Sequence, residues 1–109
     1  MWRVNLGGEG EVPGALNQQE PAALRPGWRS VQPGRPTLYR LALRGVAVVI
    51  CFNTMLTFPD DSIDEVYTNS VPIDIITFRG PGVQSSEILR VLKSRGRWYH
   101  NQQLIFLKP

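Results

Sequence analysis

Cysteine and histidine are almost absent from this 109-residue chain: one of each, Cys51 and His100. A lone cysteine forms no internal disulfide, and a single histidine excludes a histidine-rich metal site. Cys51 has no histidine or acid beside it in sequence. It sits in an apolar run and reads as a buried thiol rather than a nucleophile. Long hydrophobic stretches are missing too. The longest, Val46–Phe52, is far short of the roughly 20 residues that a membrane span needs, so no membrane partner is expected. The N-terminus lacks the apolar run of about 7 to 15 residues that marks a signal peptide, which points to the cytoplasm. Charge of one sign is not in large excess: 12 Lys and Arg stand against 9 Asp and Glu, a net of +3. The arginines Arg25, Arg29, Arg35, Arg40 and Arg44 are scattered rather than clustered. They read as a solvated basic face, and nucleic acid stays open as a partner without being demanded.

What is present suits a globular domain. The chain is 42% hydrophobic and 19% charged, which excludes a disordered tract. Its length implies one domain, 1–109, with a modest core. Trp2–Leu6 reads as a first strand, with Val4 and Leu6 on one face. Gly7, Gly8 and Gly10 end it. Gly8-Glu9-Gly10 is a G-x-G turn after a strand: either a cofactor loop or an ordinary glycine turn. Glu11-Val12-Pro13-Gly14 turns the chain, and Ala15-Leu16-Asn17 begins a second strand. Glu20–Pro36 carries Pro21, Pro26, Pro33 and Pro36, which forbid a long helix. Trp28 in that loop reads as a packing plug. Thr37–Leu43 has helical spacing, with Thr37 as N-cap and Gly45 as C-cap.

Val46–Phe52 is apolar and β-branched, the pattern of a strand buried on both faces of a parallel sheet. The stretch Met55–Pro72 looks like the organising element. Pro59 restrains a loop that carries Asp60, Asp61 and Asp64, which match no calcium pattern and read as turn acids. The strand Ile63–Thr68 then ends at the polar knot Thr68-Asn69-Ser70. Ile73–Phe78 extends the sheet or packs irregularly, before the break Gly80-Pro81-Gly82. Ser85–Ser94 is the clearest helix. Ser85 is its expected cap, Ile88, Leu92 and Val91 or Leu89 its buried face, and Lys93 and Arg95 its C-terminal cations. Arg97–His100 and Leu104–Leu107 read as closing strands. Strands alternating with helix or loop connections predict an α/β fold with a mostly parallel sheet and few helices.

Three segments resemble class I S-adenosylmethionine-dependent methyltransferases. Leu56-Thr57-Phe58-Pro59-Asp60-Asp61-Ser62-Ile63-Asp64-Glu65-Val66 is similar to their L-P-F-x-D-x-S-F-D-x-V fourth-strand pattern. Val4-Asn5-Leu6-Gly7-Gly8-Glu9-Gly10 stands where they carry a glycine turn. Glu87-Ile88-Leu89-Arg90-Val91-Leu92-Lys93-Ser94-Arg95-Gly96 resembles their E-x-x-R-V-L-K-P-G-G turn. Together these span nearly the whole chain. The resemblance implies a minimal Rossmann-like methyltransferase sheet, about half the family's usual length.

The resemblance also implies a site. Gly7, Gly8, Glu9 and Gly10 would lie against S-adenosylmethionine, with Gly8 kept open for it. Pro13-Gly14-Ala15-Leu16-Asn17 resembles a P-G-x-x-N-V-D segment whose acid binds the ribose. Gln18 and Gln19 hold that place here, with Glu20 one step beyond. Phe52, or its neighbour Asn53, stands where the family carries an acid for the adenine amine. Glutamine and asparagine cannot supply those carboxylates. Asn69 stands at the strand end where amino-methylating enzymes bind the target amine, with Asn69-Ser70-Val71-Pro72 in place of Asn/Asp-Pro-Pro-Tyr. It is the candidate catalytic residue. His100, also at a strand end, is either a base or a surface histidine.

Three functions follow from this reading. The first is a small S-adenosylmethionine-dependent methyltransferase of unknown substrate. The second is a methyltransferase-like module without cofactor, serving in binding or structure. The third is a secreted bacterial toxin effector domain held by an immunity or carrier protein, because GEGEVPGALN and GPGVQSSEI resemble the ends of polymorphic toxins.

Overall fold

The structure is a computed structural model that describes residues 1–21, 45, 47–69, 71, 73 and 83–109. Six strands form one sheet: β1 (Arg3–Leu6), β2 (Leu16–Gln19), β3 (Val48–Ile50), β4 (Ile63–Thr68), β5 (Leu92–His100) and β6 (Gln103–Leu107). Their order is β3-β2-β1-β4-β5-β6. Every neighbouring pair is parallel except β5 and β6. One helix, α1 (Ser85–Val91), is found among the described residues. The architecture is therefore α/β, with a mixed but mostly parallel sheet. No helix among the described residues is long and apolar enough to cross a membrane.

Side-chain alternation along the strands sorts the sheet into an apolar and a polar face. Val4 pairs with Leu16 and with Val66, and Val66 with Trp98. That face joins Ile88 and Val91 of α1, and Leu56, Ile73 and Val83 from the connections, in one buried cluster. Burial of these side chains is the main stabilising term. The other face carries Arg3, Asn5, Asn17, Glu65 and Tyr67, in register with one another. Tyr67 and Tyr99 stack there, ring centroids 5.2 Å apart and planes 11° from parallel, a favourable cross-strand aromatic pair.

Several expectations change in detail. The run Val46–Phe52 contributes only Val48–Ile50 to the sheet, and it forms the end strand rather than a strand buried on both faces. Ile50 is 37% exposed. Apolar composition marks a strand but not its place in the order, which depends on pairing far along the chain. The helix stops at Val91, because Leu92 is already extended (ψ 136°) and opens β5. Leu92 is buried as expected, but as a strand residue. The N-cap is Gln84, which makes no side-chain capping bond, and Ser85 lies inside the first turn. Lys93 and Arg95 belong to β5. The cation at the helix end is instead Lys108, whose Nζ donates to Leu89 O at 2.8 Å, Leu92 O at 2.6 Å and Asp61 Oδ1 at 2.8 Å. It meets carbonyls left unpaired at the helix terminus. The expected helix Thr37–Leu43, the arginines from Arg25 to Arg44, Trp28, Ser70, Pro72 and residues 74–82 lie outside the described residues.

The loop before β4 is held from the helix. Arg90 donates to Leu56 O, Phe58 O, Asp60 Oδ1 and both carboxylate oxygens of Glu87, all between 2.7 and 3.1 Å. Glu87 in turn accepts from Leu56 N at 2.8 Å. Leu56 packs in the core and Phe58 against it. Hydrogen bonding to Arg90 and to the Leu56 amide holds the Glu87 carboxyl below the usual carboxylate range despite its burial. Asp64 is lowered by its bond from the Trp2 amide. Both groups hold a proton more weakly folded than unfolded. Their stabilisation is therefore fully present above the unfolded carboxylate range, about pH 4, and is lost as pH falls from there through their lower folded values.

Two expectations follow. Leu92→Ala is expected to cost about 2–5 kcal/mol by emptying a fully buried site, measured by urea unfolding. Glu87→Gln is expected to flatten the loss of stability between about pH 5 and pH 3, measured as melting temperature against pH. An unchanged slope would show that Glu87 titrates alike in both states.

Candidate functional site at the strand ends

The order of strand addition reverses between β1 and β4. In open α/β sheets the crevice at such a switch point, outside the carboxyl ends of the strands, is where ligands bind. The candidate residues gather on this edge. The glycine turn follows β1, Gln18 sits in β2, Phe52 and Asn53 follow β3, and Asn69 follows β4. Leu6 pairs with Thr68, so the next residues, Gly7 and Asn69, flank each other across the switch.

The turn is built without a crossover helix. Gly7–Ala15, nine residues, joins two parallel strands, where a crossover of about a dozen or more is usual. Such a short connection must satisfy its backbone locally, and it does so with side chains from the strands it links. Gly7 N donates to Gln18 Oε1 at 3.1 Å, Glu9 N to Glu11 Oε2 at 2.9 Å and Gly10 N to Asn17 Oδ1 at 3.1 Å. Gly8 N donates to Asn5 O and Gln18 O, both at 3.1 Å. The Gly8 carbonyl accepts from Gln19 Nε2 at 3.0 Å. Four consecutive N–H groups are thus accepted within the chain. Glu9 is buried, folded inward with the turn.

Gly7 and Gly8 face protein rather than open space, whereas Gly10 is exposed. A Cβ on Gly7, whose φ is +64°, would come within 2.5 Å of Val71 Cγ2. A Cβ on Gly8 would collide with Asn17 Oδ1 and come within 2.6 Å of Asn5 O. The expectation that Gly8 is kept small for a ligand therefore changes: the neighbours that require glycine there are the chain's own.

Gln18 is fully buried and bonds in three directions. It accepts from Gly7 N and donates to Cys51 O at 2.7 Å and to Asn53 Oδ1 at 3.2 Å. Asn53, also buried, donates its backbone N–H to Glu20 Oε1 at 2.6 Å, and its backbone carbonyl accepts from Gln84 N at 3.3 Å. Glu20, the alternative ribose acid, thus has one oxygen on Asn53. Phe52 points the other way: it is 57% exposed and bridges Met55.

Asn69 differs. Its Oδ1 is buried and finds no hydrogen-bond partner among the described residues. An unpaired buried acceptor is costly, and a ligand donor would relieve it. His100 is held by Thr68, with Nδ1 2.8 Å from Oγ1. That hydroxyl also accepts from Trp98 Nε1 at 2.9 Å. No group of three or more metal-binding side chains forms among the described residues.

A groove of about 710 Å³ lies elsewhere. It runs beside the amino end of β1 under the β1–β2 connection, lined by Trp2, Arg3, Pro13, Gly14, Leu16 and Ala47 among others. Of the candidate residues it includes Gly10, but none of Gly7, Gly8, Glu9, Gln18, Phe52, Asn53 or Asn69.

Sequence reasoning gave no role to Asn5, Asn17 and Val71, and read Glu11 and Gln19 only as groups that could meet a cofactor. The available signal was the run Asn17-Gln18-Gln19 in a strand following a glycine turn: three amides on a short strand, all buried here, need partners nearby. Comparison with family models, curated proteins and solved structures finds no match.

Gly8→Val is expected to destabilise the fold by about 1–3 kcal/mol or more through overpacking. A lowered melting temperature checks this. A wild-type melting curve would mean that the turn has room for a side chain.

Proposed function

We propose that the chain is a methyltransferase-like α/β module whose cofactor crevice is filled by its own side chains, so that it serves in binding or structure rather than in methyl transfer. One observation carries this reading. All four N–H groups from Gly7 to Gly10 are accepted by Asn5, Glu11, Asn17 and Gln18 of the same chain. A turn whose donors are used, and whose Gly7 and Gly8 pack on neighbours, has few free groups for a nucleoside cofactor.

Two features support the kinship. The order β3-β2-β1-β4-β5 is that of doubly wound nucleotide-binding sheets. Glu87 and Arg90, the charged pair of the third resembling segment, clamp the loop Leu56–Asp60, which belongs to the first. Motif residues can thus persist for their work in the fold after a ligand is lost.

An active methyltransferase is the second reading, favoured by Asn69. Its unpartnered Oδ1 stands where the resemblance puts the acceptor for a substrate amine. The cofactor brings methyl-transfer reactivity, and the protein's part would be orientation.

Calorimetric titration with S-adenosylhomocysteine separates the two. No binding heat up to millimolar ligand is expected. A micromolar dissociation constant would overturn the module reading and return the crevice to the cofactor.

A further inference from the structure

The groove at the amino end of β1 joins apolar walls to one cation. Among the described residues that line it, Arg3 has the one charged side chain and none is acidic. Trp2, Val12, Pro13, Leu16 and Ala47 supply apolar surface. Trp2 is 62% exposed, so part of its indole is open to a partner. The volume of about 710 Å³ falls within the range of about 300–1,000 Å³ usual for small-molecule sites.

The chain turns its acids away from this groove and its arginine toward it. Glu11 stands in sequence between Gly10 and Val12, which both line the groove, yet Glu11 does not. Its oxygens accept from Asn5 Nδ2 at 2.7 Å and from Glu9 N at 2.9 Å. Arg3 reaches under the connection: a Cβ on Gly14 would stand 2.9 Å from Arg3 Nη2. Its one ion-pair contact among the described residues is Nε to Glu65 Oε1 at 3.9 Å, too long for a hydrogen bond. Tyr67 beside them adds no charge, because burial raises its hydroxyl above the ordinary value. The β2–β3 connection beyond Glu20 contains no acid at all. Arg3 is therefore a cation with an incomplete counter-ion, set in the wall of an otherwise apolar groove.

We propose that this groove binds a small organic carboxylate with an aromatic body. The planar guanidinium matches the two oxygens of a carboxylate, and the walls around Val12, Leu16 and Trp2 remove the body from water. Charge selects this occupant. A neutral body would leave Arg3 without the anion it lacks, and a cationic one would meet a like charge. A nucleic acid strand would call for several cations along a track, and the groove has one. The inference goes beyond the module reading and does not rest on it, since the crevice lies at the opposite ends of the same strands.

Titration of the isotope-labelled chain at neutral pH with phenylacetate and with phenylacetamide, read by amide chemical shifts, tests the proposal. Phenylacetate is expected to move Gly10, Gly14, Leu16 and the Trp2 indole N–H, saturating by about 10 mM. Phenylacetamide has the same shape without the charge. It is expected to bind at least about tenfold more weakly, the worth of a charge-assisted hydrogen bond. Arg3→Met keeps the apolar stem and is expected to lose the same factor. Glu65→Gln removes the neighbouring carboxylate, leaves Arg3 in place and is expected to tighten phenylacetate binding. Equal binding of the two probes, no shifts up to about 10 mM, wild-type affinity in Arg3→Met, weaker binding in Glu65→Gln, or shifts confined to Gly7, Gly8 and Asn53 would each overturn the proposal. The two probes are compared on the wild-type chain, so the test holds even where Arg3→Met fails to fold. The titration with S-adenosylhomocysteine reads the crevice and succeeds or fails separately.

Discussion

The arrangement of the carboxyl edge depends on the three hydrogen bonds of Gln18. Parallel strands β1, β2 and β3 come together there, and each releases its chain with backbone groups to satisfy. One fully buried amide reaches Gly7 of the first connection and Cys51 and Asn53 after the third strand. A carboxylate at that position would accept from Gly7 but could not donate to Cys51 O or Asn53 Oδ1. The glutamine that departs from the expected acid is therefore what this geometry requires. Asn5, Asn17 and Glu11 do the same work around Gly8–Gly10. Such buried polar groups stabilise when satisfied and cost dearly when not. Two are left open among the described residues, Asn69 Oδ1 and Asn5 Oδ1, and we have no physical account of the second.

A second constraint runs through the charged residues of α1 and the C-terminus. A seven-residue helix has little stability of its own. It gains its place through Ile88 and Val91 in the core, through Arg90 on the preceding loop, and through Lys108 on its last carbonyls. The same side chains fix the approach to β4, which sits beside the switch point. Core burial, loop position and the shape of the strand-end edge are thereby coupled. Loss of the Arg90 contacts would release the loop that carries Leu56 and Phe58.

The two ends of the sheet contrast. At the crevice, most polar groups are turned inward and matched, with Asn5 Oδ1 and Asn69 Oδ1 the exceptions among the described residues. At β6, the apolar side chains of Leu104, Ile105 and Leu107 are turned outward. The polar sheet face, with Tyr67 on Tyr99 and Arg3 near Glu65 at 3.9 Å, carries no comparable apolar surface.

The amino-acid sequence by itself determined the elements. Alternation at Val4 and Leu6, the run after Gly45, the segment Ile63–Thr68 and the spacing of Ile88 and Val91 are local signals. They act over a few residues through propensity and burial, and the strands and helix appear close to where these signals put them. Tertiary structure alone decided what the candidate site residues do. That Val48–Ile50 is an end strand, that Lys108 rather than Lys93 ends the helix, and that Gly8 faces Asn17 all depend on pairings between residues far apart in the chain. Gln18 reads alike in sequence whether it meets a ribose or Cys51. Only the register of β1, β2 and β3 chooses between them, because a hydrogen bond acts over about 3 Å and the sequence does not state which groups come that close.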